Sequence, residues 1–243
     1  MSTHTETISH LKELADILRR KNVIANSGPI DNLVRQLEMW KEGGKHPLKY
    51  RLRGLEFPVY EPQFIRGDAW EPRLSLKLDV DVTVSGDSFV YQDISDLTVN
   101  IHYDASSVTG ELCKGAWHLD FHNTPEPTRF MHPIYHFHHG GKKLDDLKSY
   151  GNVILLDAPR VMHHPLDIFL AIDFVISNFI AASKWHELRA DTRYKKIIEI
   201  AQKNWWKPYY EELGNYWDSL GNHKGSIAKG NIKASRLLNP HLI

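Results

Sequence analysis

Histidine and aspartate spaced two apart are the residues of this chain best suited to chemistry. The segment from Trp117 to Gly141 reads WHLDFHNTPEPTRFMHPIYHFHHGG and holds six of the fifteen histidines. Side chains two apart on a β-strand share a face, so His118, Asp120 and His122 project together, and so do His136 and His138. Neutral imidazole and carboxylate suit zinc, manganese or iron, and a catalytic centre keeps one position open for water. The expected metal ligands are therefore His118, Asp120, His122, His136 and His138, with a divalent ion such as zinc or manganese. A bound metal lowers the pKa of its water and supports hydrolysis. Without metal, an oriented His–Asp pair still serves as a general base, and His118, Asp120 and His136 are the expected catalytic residues. The plain alternative is a half-exposed sheet face that is simply polar. The spacing matches no closed motif such as H-E-x-x-H.

The elements that must carry these residues are visible in the periodicity. Leu74, Leu76, Leu78, Val80, Val82 and Val84 alternate with polar residues, which predicts a long strand with one buried face. After a turn at 85–88, Phe89 to Tyr91 is expected to start the return strand. Leu97, Val99, Ile101 and Tyr103 alternate with Thr98, Asn100, His102 and Asp104. Trp117, Leu119 and Phe121 then oppose the first histidine set, and Tyr135 and Phe137 oppose the second. Successive strands with short links predict an antiparallel meander of four or five strands. Neighbouring strands would bring His102 and Asp104 onto the same face, gathering five histidines and two aspartates.

Helices flank this sheet. Ile8, Leu11, Leu14, Ala15 and Leu18 recur at helical spacing, and Leu33, Val34, Leu37 and Trp40 mark a second helix that Gly43-Gly44 stops. The proline-rich stretch 48–70 reads as edge strand or wrapping loop. Val153 to Leu156 reads as a short strand. Pro165 suits the first position of a helix over 166–182, apolar nearly all round. Asp191 can cap the next helix, and Pro208 is expected to restart another. The fold class is α+β: an antiparallel meander flanked by N-terminal helices and a C-terminal helical segment. Residues 1–220 read as a single domain, and 221–243 as a basic, loosely ordered tail.

Composition excludes several classes of partner. The 243 residues carry 30 basic and 30 acidic side chains, so net charge favours neither nucleic acid nor an anionic membrane; only the basic tail offers nucleic acid a contact. Asp167 and Asp173 interrupt the longest apolar run, and each costs about 2.5–3.5 kcal/mol at a bilayer centre, which argues against a span. The single cysteine permits no internal disulfide, and the N-terminus lacks the basic and apolar regions of a signal peptide. The expected location is the cytoplasm.

Other residues invite chemistry less directly. Cys113 has Lys114 and His118 near it in sequence, and a cation lowers a thiol's pKa; a lone cysteine is more often an inert small side chain. Gly140-Gly141-Lys142-Lys143 presents amides and lysines to a phosphate if a helix starts there, but it is no Walker loop and a turn accounts for it. Asp173, inside an apolar helix, needs a partner, for which Arg160 is the expected cation; Asp157, Asp167 or an anionic ligand are the alternatives for Arg160. Trp205-Trp206 and Tyr209-Tyr210 form either core or an aromatic binding surface.

Two segments, HPIYHFHHGG at 132–141 and LLDAPRVMHHPLDIFLAIDFVISNF at 155–179, resemble an uncharacterised bacterial domain-of-unknown-function family found near mobile-element and defence genes. They cover about a fifth of the chain, and the resemblance implies no activity. The element order is also similar to the ubiquitin-conjugating fold, although no H-P-N followed by a cysteine is present. Two functions are carried forward. The first is an accessory or interaction protein of a bacterial multi-protein system, of the anti-phage defence kind, with a protein partner or a second copy of itself. The second is a metal-dependent hydrolase or nuclease using the His/Asp cluster. A third, a Cys113 transferase, rests on the thiol alone.

Overall fold

A computed structural model describes residues 3–43, 47–59, 74–86, 89–106, 110–121, 132–140, 142–147, 160–220 and 225–239. Helices α1 (His4–Arg20) and α2 (Gly28–Gly43) lead into strands β1 (Leu48–Val59), β2 (Leu74–Val84), β3 (Ile94–Ser106), β4 (Leu112–Phe121), β5 (Tyr135–His139) and β6 (Val161–Met162). Helices α3 (Ile168–Phe179), α4 (Ala182–Ala190), α5 (Thr192–Leu220) and α6 (Gly225–Leu238) follow. The six strands form one antiparallel sheet in sequence order. The α+β meander is therefore as expected, with one strand more than the upper count. No described helix is long and apolar enough to cross a membrane.

Alternation decides which residues face the helices. Leu78 pairs with Ile101, Val80 with Val99, Val99 with Leu119 and Leu119 with Phe137, so one row of apolar side chains crosses four strands. This row packs with Leu11, Leu14, Leu33, Leu37, Ile172, Val175 and Trp205 from the helices in one core. The opposite parity yields two polar rows. Asp79 pairs with Asn100, Asn100 with His118, and His118 with His138; alongside, Asp81 pairs with Thr98, Thr98 with Asp120, and Asp120 with His136. Directly opposed side chains sit within about 5.5 Å at Cβ, so each row brings its polar groups into reach.

Two local devices hold these rows. The β1–β2 register shifts between Leu52 and Leu55, where Gly54 takes φ +61, a left-handed conformation that favours glycine. On β4, Gly115 pairs with Tyr103 and lies under its ring; a Cβ there would meet the ring at 2.3 Å.

The proline-rich stretch forms the expected edge strand, β1, through Val59, paired with β2, and residues 60–70 lie outside the described residues. Several other expectations are corrected. Tyr91–Asp93 is a 3-10 turn, and the return strand starts at Ile94 because Ser85 N–H already bonds the Asp93 carbonyl and closes the connection. The apolar helix is shorter than expected and is capped by Asp167, whose Oδ1 accepts from Leu170 N–H at 2.8 Å; Pro165 precedes the cap. Helix α4 takes over after Ala181. Asp191 does accept from the Arg193 amide at the start of α5, but α5 runs on through Pro208 instead of restarting there. The 221–243 segment contains α6, which packs on α5 through Leu238 and the buried Ser235, whose hydroxyl donates to the Glu212 carbonyl at 2.7 Å. That helix has an apolar stripe to bury, which overrides its glycine-containing composition. The strand expected at 153–156 lies outside the described residues.

Candidate functional site

The two polar rows meet at β4 and β5. One nitrogen each of His118 and His138 and one oxygen of Asp120 lie within 4.8 Å of one another, the only such group of metal-ligating side chains among the described residues. A metal ion bonds donors of these kinds at about 2.0–2.2 Å.

Each of the three has its other polar atom tied down. His118 Nδ1 lies 2.7 Å from Asn100 Oδ1, so Nδ1–H donates and Nε2 faces the Asp120 carboxylate. Thr98 Oγ1–H donates to Asp120 Oδ1 at 3.1 Å, leaving Oδ2 toward the histidine. His138 Nδ1–H donates to the His139 carbonyl at 3.4 Å, leaving Nε2 available. His118 Nε2 and Asp120 Oδ2 are in direct hydrogen-bond contact, so an ion bound to both has to part them. Outer partners of this kind fix tautomer and ring orientation in metal sites.

Electrostatics suit the same reading. Burial works to raise the Asp120 pKa, but His118, Thr98 and His136 outweigh it and hold the carboxyl below its ordinary value. Burial, then the neighbouring His132, pulls His136 down to about 4. Burial and His118 lower His138 as well. The rings of His136 and His138 are thus neutral near pH 7, the form that ligates a cation.

The expected ligands separate as follows. His118, Asp120 and His138 come together, whereas His122 lies outside the described residues. His136 stands opposite Asp120, its ring stacked on His138 at 5.6 Å between centroids, but it is not one of the convergent three. It is 2% exposed, and its Nδ1 has no hydrogen-bond partner among the described residues. His102 shares the face but belongs to a separate, closed network. Its Nε2 lies 3.2 Å from Asp79, which also takes Lys143 Nζ at 3.0 Å and Gly54 N–H at 2.8 Å. Burial raises the Asp79 pKa, and those three donors outweigh it, holding the carboxyl well below its usual range. Asp104 is exposed, 3.8 Å from Lys114.

The remaining candidates resolve quickly. Cys113 has the parity of Trp117 and Leu119, so it faces away from His118, and Lys114 is held by Asp146 at 2.6 Å. Lys142–Leu144 is a 3-10 turn, and Lys143 is paired with Asp79, so no phosphate-binding helix start forms there. Asp173 takes its cation from Arg189 at 2.5 Å and a hydroxyl from Tyr194 at 2.7 Å; Arg160 is not the partner. Trp205 and Tyr209 are core, whereas Tyr210 is 53% exposed, so helical phase divides the aromatic cluster. The supporting Asn100 and Thr98 were not singled out from sequence, although their parity with His102 was the available signal. Comparison with protein-family models, curated proteins and solved structures gave no match.

Proposed function

We propose that the protein is a divalent-metal-dependent hydrolase whose ion is held by His118 Nε2, Asp120 and His138 Nε2. The observation that carries this is the convergence of the three donors within 4.8 Å, each tied at its other polar atom. Two neutral imidazoles and one carboxylate leave open positions on the ion for water and substrate. Metal-bound water reaches a pKa near 7 on zinc. An ion held there would supply a hydroxide for hydrolysis of an ester, and His136, neutral and stacked on His138, would be the neighbouring group to orient the water it carries. The cytoplasm is the setting proposed with this role, where Cys113 stays a thiol. Metal analysis of the purified protein, followed by titration with Mn²⁺ and Zn²⁺, tests the reading. Stoichiometric uptake that is lost in Asp120→Ala and His138→Ala supports it, and no uptake by the unmodified chain overturns it.

A second reading, an interaction protein with a protein partner or a second copy, is favoured by one observation. Tyr210, Trp217 and Leu220 are exposed along α5, and Leu237 is exposed on α6. Exposed apolar residues grouped in this way suit a protein surface. Concentration-dependent association in light scattering, removed in a Tyr210→Ser/Trp217→Ser variant, is the outcome expected.

A further inference from the structure

From Ser219 to Ile243 the sequence holds no aspartate or glutamate, while Lys224, Lys229, Lys233 and Arg236 supply four cations. Helix α6 turns part of that composition into a surface. Residues three and four apart share one face of a helix, so Lys229, Lys233 and Arg236 stand in one stripe, and all three are exposed. The buried Ser235 and Leu238 lie on the opposite side, where the Ser235 hydroxyl reaches the Glu212 carbonyl of α5. A rise of 1.5 Å per residue spreads the three cations over about 10 Å.

The stripe carries its charge uncompensated. None of the three side chains has a hydrogen bond or an ion pair with a described residue. The acids on the neighbouring half of α5 do not reach them: Glu211 pairs with Lys207 at 3.6 Å, Glu212 accepts the Tyr91 hydroxyl at 3.0 Å, and Asp218 forms no ion pair with any of the three.

A face of this kind is complementary to a polyanion, and the charge density decides which. Duplex DNA carries one negative charge per about 1.7 Å of axis, so the stripe meets several phosphates at once and releases their counterions. An acidic strand of protein, even with a carboxylate at every residue, offers one charge per about 3.3 Å. A helix that lies on an anionic bilayer inserts a broad apolar face. The apolar side of α6 is turned to α5 instead, and Leu237 is the one large apolar side chain exposed on it among the described residues.

We infer that the Lys229–Lys233–Arg236 stripe of α6 is a docking surface for the phosphate backbone of a nucleic acid. Contacts to phosphate position a protein without reading bases, so the docking is indifferent to sequence. The Leu237 carbonyl accepts from Ile134 N–H at 3.3 Å, so the C-terminal end of the stripe adjoins the start of β5, the strand that bears His136 and His138. The docking itself needs no ion, and it stands or falls apart from the metal reading.

The test uses the full chain treated with a chelator and a short fluorescein-labelled DNA duplex of mixed sequence, with anisotropy read between about 50 and 200 mM salt. The unmodified chain should bind, and the affinity should fall steeply with salt. In Lys229→Gln/Lys233→Gln/Arg236→Gln the duplex should bind at least about tenfold more weakly at the low end of that range, and the logarithmic salt slope should become shallower by about 2.7, which is about 0.9 for each cation removed. Glutamine matches lysine and arginine in helix propensity, and unchanged circular dichroism verifies that α6 is intact. Lys195→Gln/Lys196→Gln, which removes two exposed cations from the far end of α5, should bind as the unmodified chain does. No binding by the unmodified chain overturns the proposal, as does an affinity and slope unchanged in the stripe variant. An equal loss in the Lys195/Lys196 variant also overturns it, because the binding is then one of overall charge. Displacement of the duplex by polyglutamate, or by phosphatidylserine vesicles, at equal charge concentration overturns the assignment to nucleic acid; failure of both to displace it supports that assignment.

Discussion

Asp120 and Asp173 are both largely buried and both have named partners, yet they stand at opposite ends of a comparison. Asp173 sits among α3, α4 and α5 with Arg189 and Tyr194 both donating to it. Burial raises its pKa, and those donors only partly offset that. Asp120 on β4 accepts from Thr98, but its other oxygen faces the ring of a histidine whose second nitrogen is committed to Asn100. In the first constellation each carboxylate oxygen meets a donor, while the buried Arg189 Nε has no hydrogen-bond partner among the described residues. The second brings His118, Asp120 and His138 to one point, with His118 Nε2 directly against Asp120 Oδ2. Structural carboxylates are recognised by complete pairing, and sites by the pairing that a ligand has yet to supply.

Breaking each side of this comparison gives distinct outcomes. The largest effect is expected at the open site: His118→Ala, Asp120→Ala or His138→Ala should weaken Mn²⁺ or Zn²⁺ binding by more than about 100-fold, since even outer partners contribute about 10–100-fold. Arg189→Ala should leave metal affinity unchanged and instead cost about 2–3 kcal/mol in denaturant unfolding, at the lower side of the range for a broken buried pair because Arg189 is partly exposed. Asn100→Ala and Thr98→Ala should reduce metal affinity by about tenfold, through the tautomer and orientation they impose. If these two variants bind metal as the unmodified chain does, the outer bonds have no positioning role.

Asp167 provides the finest test, because it has backbone caps and no salt-bridge partner in the described residues. Burial raises its pKa to about 7, with the Leu170 and Phe169 amides working against it. The folded chain therefore holds a proton that the unfolded chain releases near its ordinary pKa, so this residue's contribution to stability falls as pH rises from about 4 to about 7 and is level above. Asp167→Asn keeps a capping oxygen and removes the titration. Between pH 6 and pH 7 the variant should gain on the unmodified chain by about 1 kcal/mol, measured as the difference between two denaturation series. Parallel series would sink the idea.

What was readable beforehand divides along physical lines. Alternation at Leu76–Val84, Leu97–Ile101 and Trp117–Phe121 identified the strands and sorted His118, Asp120, His136 and His138 to one face, because parity is local to a strand. Register is not local. Whether Asn100 or His102 stands opposite His118 depends on the connections between strands, so the pairing of His102 with Asp79 and of Asn100 with His118 required the structure. The Arg189 partner of Asp173 was hidden for a similar reason. Helix α4, ASKWHELRA, lacks a clear apolar stripe and owes its place to packing. Proline removes an amide and is expected to break a helix, yet α5 holds through Pro208, with Trp205 and Tyr209 anchoring it in the core on either side.

The ring of Tyr103 over Gly115 has a consequence for how the protein acquires its site. A slide of β4 by one residue would put a Cβ from Lys114 or Ala116 against the Tyr103 ring and would turn His118 into the core. The glycine thus acts as a proofreading step in folding: it admits one alignment of β3 and β4 and rejects its neighbours. Gly115→Ala should therefore yield not a uniformly weaker protein but a mixture of alignments, only some of which bind metal. The fidelity of the histidine cluster is set three residues before His118, by a position that has no side chain at all.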